Sequence, residues 1–360
     1  MKIKYFTFFL FLSVLITLPA QAQQKNHYDS LLQLFKDWRQ FEEPPLREGA
    51  PDYTLTTREG RWAEFKQLQN RLQAIDTAGW SVPYKVDWTI VWAEMNGYDF
   101  NHRVLKSWER DPAFYKSLWM ARSDVPAHEG PTHHRTTELW TYEFPLSLSE
   151  RKRLLGDLAV IPALNLQARE NLTGNARELW IAGIRDIKNQ VANLKWILDL
   201  PGVGEDAEIV AAVQKAVAAT EDLAGWLEAQ SPSKSGPSGI GKENYTWYLQ
   251  NVHLVPLTWE DEVLLLKREL ARAWASLKLE EHRNRNLPPL EAADSPEAYD
   301  ALAETSARSL LTFLDKQDIV SVKEYFEPAL RAHLGAFVPE DTRNFFWITA
   351  HYDPRPLYSH

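Results

Sequence analysis

Apolar residues recur at three- and four-residue steps along most of this chain, with charged residues between them, as amphipathic helices require. Between residues 175 and 200, Leu179, Ala182, Ile187, Val191, Leu194 and Leu198 follow this spacing, and the pattern stops at Pro201-Gly202. The Ala-rich stretch 204–230 predicts a second long helix. Ser147-x-x-Glu150 predicts a helix start, because the hydroxyl accepts the free N–H three residues on while the acid reaches back. Thr258-x-x-Asp261 opens a further helix through about residue 282. Asp294-Ser295-Pro296-Glu297 joins a cap, a first-turn proline and a first-turn acid ahead of another. The best strand candidate is "NFFWITAHY", 344–352, which is β-branched and aromatic. Only 15 of 360 residues are Gly, too few for a turn-dense β architecture, and no internal repeat is present. The predicted fold is all-α, a bundle of long helices with room for one short strand or hairpin near the C-terminus.

The first residues change the picture of location. Lys2 and Lys4 precede an apolar run from Phe6 to Leu18, and Ala20-Gln21-Ala22 is a small-x-small cleavage site. This predicts a signal peptide over 1–22, cleaved near Ala22, and a periplasmic or secreted protein. No later stretch approaches the roughly 18 apolar residues of a membrane span, so no membrane contact is expected after cleavage. Removing two lysines moves the formal charge from −9 to −9 − 2 = −11. So acidic a chain is a poor nucleic-acid binder, and none is expected. With no cysteine, disulfides, thiolate zinc sites and Cys nucleophiles are excluded. Residues 23–360 are expected to form one helical domain, interrupted by a linker-like loop rich in Ser, Pro and Gly at 231–241.

That loop contains Gly236-x-x-x-x-Gly241-Lys242, a phosphate-binding pattern, but Glu243 stands where the Mg²⁺-holding hydroxyl belongs. A predicted helix rather than a strand precedes it, and no Walker B run follows. ATP binding is therefore not expected. Gly239 and Gly241 are read instead as a flexible entry to a helix carrying Tyr245, Tyr248 and Leu249 on one face.

"SGIGKENYTWYL", followed after a short gap by "LTWEDEVLLLKREL", resembles the middle of the bacterial domain-of-unknown-function family 885. "LKSWERDPAFYKSL" (105–118) and "LAVIPALNLQARENLTGNARELWIAGI" (158–184) are similar to other segments of that family, in the same order. The resemblance covers most of the chain after the leader. It implies a mostly helical, zinc-peptidase-like protein, in which a His-Glu-x-x-Pro-Gly-His type motif supplies the metal site. Nothing after residue 241 matches that motif. The expectation is that the domain is incomplete at its C-terminus. Part of the apolar segment 344–360 should then lack packing partners. No cofactor is assigned to these residues, and zinc enters only if further sequence supplies its ligands.

"HEGPTHH", 128–134, is the candidate metal cluster. His128 and His133 are five apart with Gly130-Pro131 between them, so they cannot share a zincin helix face. The reading is a polar loop, with His128, Glu129, His133 and His134 lining a cleft. The 15 tryptophans raise a second possibility, an aromatic groove for sugar or peptide, with Asp87, Glu94, Asp99 or Glu109 as acids. Burial is the simpler reading for Trp88, Trp92 and Met95, which share a helical face.

The expected function is substrate holding within a peptidase-like metal hydrolase, with a small molecule or peptide as substrate. Lys242 would bind a carboxylate, Glu243 an amine, and Tyr245 or Tyr248 would donate a hydrogen bond. The catalytic residues themselves are not identifiable. The alternative is a non-catalytic helical protein that binds glycan or peptide.

Overall fold

A computed structural model describes residues 28–120, 135–288, 293–333, 335 and 337. The signal segment, the loop with His128, Glu129, His133 and His134, and the strand candidate at 344–352 all lie outside the described residues. The contacts divide the chain into two units, one up to Glu269 and one from Leu270.

The first unit begins with α1 (28–42), a short antiparallel pair β1 (Leu46–Arg47) and β2 (Ala50–Pro51), α2 (Leu55–Gln73) and α3 (Val82–Phe100). Pro83 in the first turn of α3 fits its fixed backbone angle to a helix start. A π turn, Asn101–Leu105, ends α3 with Lys106 in the left-handed region. Then come α4 (Ser107–Arg110), a 3₁₀ turn over Pro112–Tyr115, and strands β3 (Leu118–Trp119) and β4 (Thr137–Glu138), which pair in parallel. Helices α5 (Leu148–Asn171), α6 (Arg177–Ile197) and α7 (Ala207–Gln230) follow and pack as a bundle. Next are α8 (Lys242–Asn251) and α9 (Trp259–Arg283), within which the division between units falls. The second unit holds α10 (Pro296–Lys316) and α11 (Phe326–Ala332). The chain is all-α, as the periodicity predicts. Among the described residues the strand pairs lie at 46–51 and 118–138, and not near the C-terminus.

Sequence determines these helix ends through caps. Ser147 Oγ accepts the Glu150 N–H while the Glu150 carboxylate accepts the Ser147 N–H at 2.9 Å, the predicted capping box. The Ser147 hydroxyl, donating to the same carboxylate, and the Ser147 and Glu143 N–H groups hold the Glu150 carboxyl down at about 2. Thr258 and Asp261 exchange the same two bonds at the start of α9. Asp206 caps α7 and Ser295 caps α10.

Three apolar clusters form the core of the first unit. One joins Leu31, Leu34 and Trp38 of α1 to Phe65 and Leu72 of α2 and Met95 of α3. Two more fill the bundle, around Leu164, Trp180 and Leu223 at one end and around Leu158, Leu194 and Val213 at the other. Trp180 is fully buried, and losing a side chain of that size costs about 3–5 kcal/mol. Met95 is buried, whereas Trp88 and Trp92 stack on each other half-buried, with Trp88 Nε1 donating to the Leu72 carbonyl.

Extended segments cross this bundle, and their buried backbone groups need partners. Gln167 Oε1 accepts the Tyr53 N–H at 2.9 Å and Gln167 Nε2 donates to the Pro51 carbonyl at 3.0 Å. Asn171 Nδ2 donates to the Tyr53 carbonyl at 3.1 Å. On α6, Gln190 Oε1 accepts from both Ser117 N and Leu118 N, at 2.6 and 3.0 Å. These amides satisfy the backbone groups that the two short strand pairs leave open.

Burial pushes the Asp111 carboxyl up to about 6, with the negative charge of Asp186 adding to the effect. A raised acid favours the protonated folded state, so its contribution is full below about 3.9 and is lost as pH rises through about 6. Asp111→Asn keeps an acceptor for the Ala113 N–H and removes this loss. We expect the variant to match the wild type in melting temperature near pH 3.5 and exceed it at pH 7.5. The gain should be of order 2 kcal/mol. A difference that stays constant across this range would contradict the assignment.

Candidate functional site

Helix α6 has no cap of its own, since its N-cap position is Ala176. The loop at 231–241 supplies one from 60 residues away. Ser238 Oγ accepts the Glu178 and Leu179 N–H groups at 2.9 and 3.1 Å and donates to Glu178 Oε2. The Gly236 carbonyl accepts the Arg177 N–H at 3.1 Å. In return Asn175 Oδ1 accepts from Ser235 N and Gly236 N, at 2.6 and 2.9 Å. Arg110 Nη2 donates to the carbonyls of Pro237 and Ser238, and Lys234 Nζ lies over the Trp180 ring while donating to the Gly174 carbonyl. At Gly236 any Cβ would overlap the Asn175 carbonyl oxygen. The phosphate-loop lookalike is thus a strap that closes the open end of α6, with the Ser235 and Gly236 N–H groups bonded to Asn175. Within the predicted linker, the stretch 234–238 is tied down at nearly every residue.

The strap delivers the chain to α8. Gly241, at φ 80, makes the turn into the helix, a backbone angle that disfavours side chains. Leu249 is buried, Phe100 of α3 stacks on Trp247 at 5.6 Å and 6°, and Asn96 Nδ2 donates to the Asn251 carbonyl. Arg103 lies over the Trp247 ring.

The predicted site residues then separate into three groups. Lys242 and Tyr245 face the first turn of α9. Lys242 Nζ is 3.3 Å from Glu260 Oε1 and 3.9 Å from the centre of the Trp259 ring. Tyr245 donates to Glu262 Oε2 at 2.6 Å, a bond that raises the phenol's pKa, with burial adding to the rise. The Trp259 N–H donates to Thr246 Oγ1 and closes the α8–α9 corner. Tyr248 faces α3 instead, against Phe100, with the His253 ring at its edge. Glu243 is exposed in the first turn of α8 and has no partner among the described residues.

This geometry refines the expected roles. The Tyr245 proton is already engaged by Glu262, and the Tyr248 ring serves packing against α3. Lys242 keeps its exposed pair with Glu260, worth at most about 1 kcal/mol and easily exchanged for another carboxylate. The corner therefore presents one free carboxylate, Glu243, beside one exchangeable cation. The periodicity of α8 pointed to its face, but Trp259, Glu260 and Glu262 belong to another helix start, and their approach is a tertiary fact.

Among the described residues no group of three or more His, Asp or Glu could hold a metal ion. The acids considered for glycoside chemistry hold other partners: Asp87 accepts from Tyr28, Glu94 from Trp38 and Arg39, and Asp99 from Lys66 and Arg103. Glu109 lies near Lys106. No helix of the described residues is long and apolar enough to cross a membrane.

Removing the trans cap should loosen α6. Ser238→Ala is expected to lower stability by about 1 kcal/mol, the usual value of a capping hydroxyl. Gly236→Ala should lower it more, and Gly239→Ala, where a Cβ meets nothing, should not. Urea unfolding of the three variants checks the order, and equal midpoints would contradict it.

No protein-family model matches the sequence, and no curated protein matches it. A solved structure, that of a lipoprotein of unknown function from Shewanella oneidensis, aligns with the chain at a TM-score of 0.48 and 18% identity. The alignment covers 84% of this chain and 58% of that one, so the chain spans less than two thirds of that protein's length.

Proposed function

We propose that this chain is an exported protein of the family 885 kind and forms the substrate-holding part of a peptidase-like metal hydrolase. The α8–α9 corner binds a peptide through its ammonium group. The observation that carries this reading is Glu243, a carboxylate without a partner among the described residues, at the rim of a corner otherwise internally bonded. An ammonium group satisfies such a carboxylate with charge-assisted hydrogen bonds. Lys242, releasing Glu260, meets a carboxylate or carbonyl of the same ligand. Export rests on Lys2, Lys4, the apolar run after them and Ala20-Gln21-Ala22. The metal ligands, in this reading, are supplied by residues other than those that hold the peptide.

The test is calorimetric titration with trialanine and with N-acetyl-trialanine. Trialanine should bind, the acetylated peptide should bind at least about fivefold more weakly, and Glu243→Gln should remove the difference between them. Equal binding of both peptides to the wild type would overturn the proposal.

A further inference from the structure

A different set of elements lines an open cleft. One face of α5 forms its wall, with Ser149, Lys152, Arg153, Gly156, Asp157 and Val160 at positions i, i+3, i+4, i+7, i+8 and i+11 of a helical stripe. The β1–β2 turn closes it with Leu46 and Gly49, and Arg135 closes it from the start of the next described segment. Its volume is about 410 Å³, the size of a small organic ligand's site.

The charge of this cleft is opposite to that of the protein. Three cations line it against one acid, in a chain of net charge −9. Two acids of α5 are engaged elsewhere. Asp157 accepts the Tyr142 hydroxyl at 2.6 Å, and Glu150 is held in the capping box. The Arg153 guanidinium carbon lies over the Tyr142 ring, 3.9 Å from its centre, and Nη2 donates to the Thr141 carbonyl. Those contacts use a ring face and one donor of a five-donor group and fix the guanidinium plane. Lys152 and Arg153 have no ion pair among the described residues. Gly156 leaves the floor open, since a Cβ there would meet nothing within 4 Å. Leu46, 54% exposed, and Val160 offer an apolar flank beside the charged wall.

We infer that this cleft is a binding site for a small organic oxyanion, a carboxylate or phosphate monoester, held by Lys152 and Arg153 with its apolar part against Leu46 and Val160. An oriented guanidinium and an ammonium on one helix face suit the bidentate-plus-point recognition that such groups favour. The site is independent of the α8–α9 corner, and substitutions at Lys152 and Gly156, which are not part of that corner, distinguish the two.

Calorimetry with phenyl phosphate, benzoate, inorganic phosphate and benzyl alcohol tests this. One or both aromatic anions should bind saturably, more tightly than inorganic phosphate, and benzyl alcohol should not bind. Phenyl phosphate binding alone identifies a phosphate site, and benzoate binding alone a carboxylate site. Lys152→Gln should weaken binding about tenfold, and Gly156→Leu, which fills the floor from an exposed helix position, should abolish it. Glu243→Gln should leave it unchanged. Absence of saturable binding by either anion, or binding that survives both cleft variants in folded protein, would overturn the site.

Discussion

Helix α6 begins with N–H groups that its own sequence cannot satisfy, and the strap at 234–238 satisfies them. That exchange, with Ser238 and the Gly236 carbonyl on one side and Asn175 on the other, sets the path of the chain from α7 to α8. It fixes where Gly241 turns, hence where α8 starts and which of its side chains meet α3 and which meet α9. A helix N-terminus carries a partial positive charge as well as free donors, so leaving it bare in an apolar bundle would be costly. The protein meets that need with backbone and hydroxyl from a distant loop rather than with a local cap.

The same economy of polar groups appears in the bundle. Gln167, Asn171 and Gln190 project from helices to hold the extended segments next to the two short strand pairs. Each of these amides is buried, so replacing one leaves a backbone group unpaired as well as a cavity. They explain how a helical fold accommodates the extended stretches around Tyr53 and Leu118. Both candidate sites are built on this frame. The cleft lies between α5 and the β1–β2 turn, and the corner lies between α8 and α9.

Much of the fold was legible because its causes are local. Capping boxes at Ser147 and Thr258, proline in the first turn of α10 and the apolar steps of α6 and α7 all act within one or two turns. The start of α8 was legible for the same reason, but its reading as one face carrying Tyr245 and Tyr248 was not, since Tyr245 meets α9 and Tyr248 meets α3. What escaped was long-range. Ser238 lies 60 residues from Glu178, so a Ser-, Pro- and Gly-rich stretch read as a linker is in fact a strap. The positive cleft was hidden because Lys152 and Arg153 look like a solvated basic run, and only the turn at Gly49 and the Tyr142 ring give them a cavity and an orientation. Of the acids considered for sugar chemistry, Asp87, Glu94 and Asp99 could not be judged from sequence, because Tyr28, Trp38, Arg39 and Lys66, which engage them, are 33 to 59 residues away.

Hydrogen exchange tests the central claim most directly, because a strap and a linker differ in amide protection whatever the ligand is. The account predicts that Gly236, Arg177, Glu178 and Leu179 exchange slowly and cooperatively with the α6 core, while Gly239, with no such bond, exchanges fast. Fast exchange at Gly236 together with Glu178 and Leu179 would show that the loop does not close α6, and the placement of α8 would lose its basis.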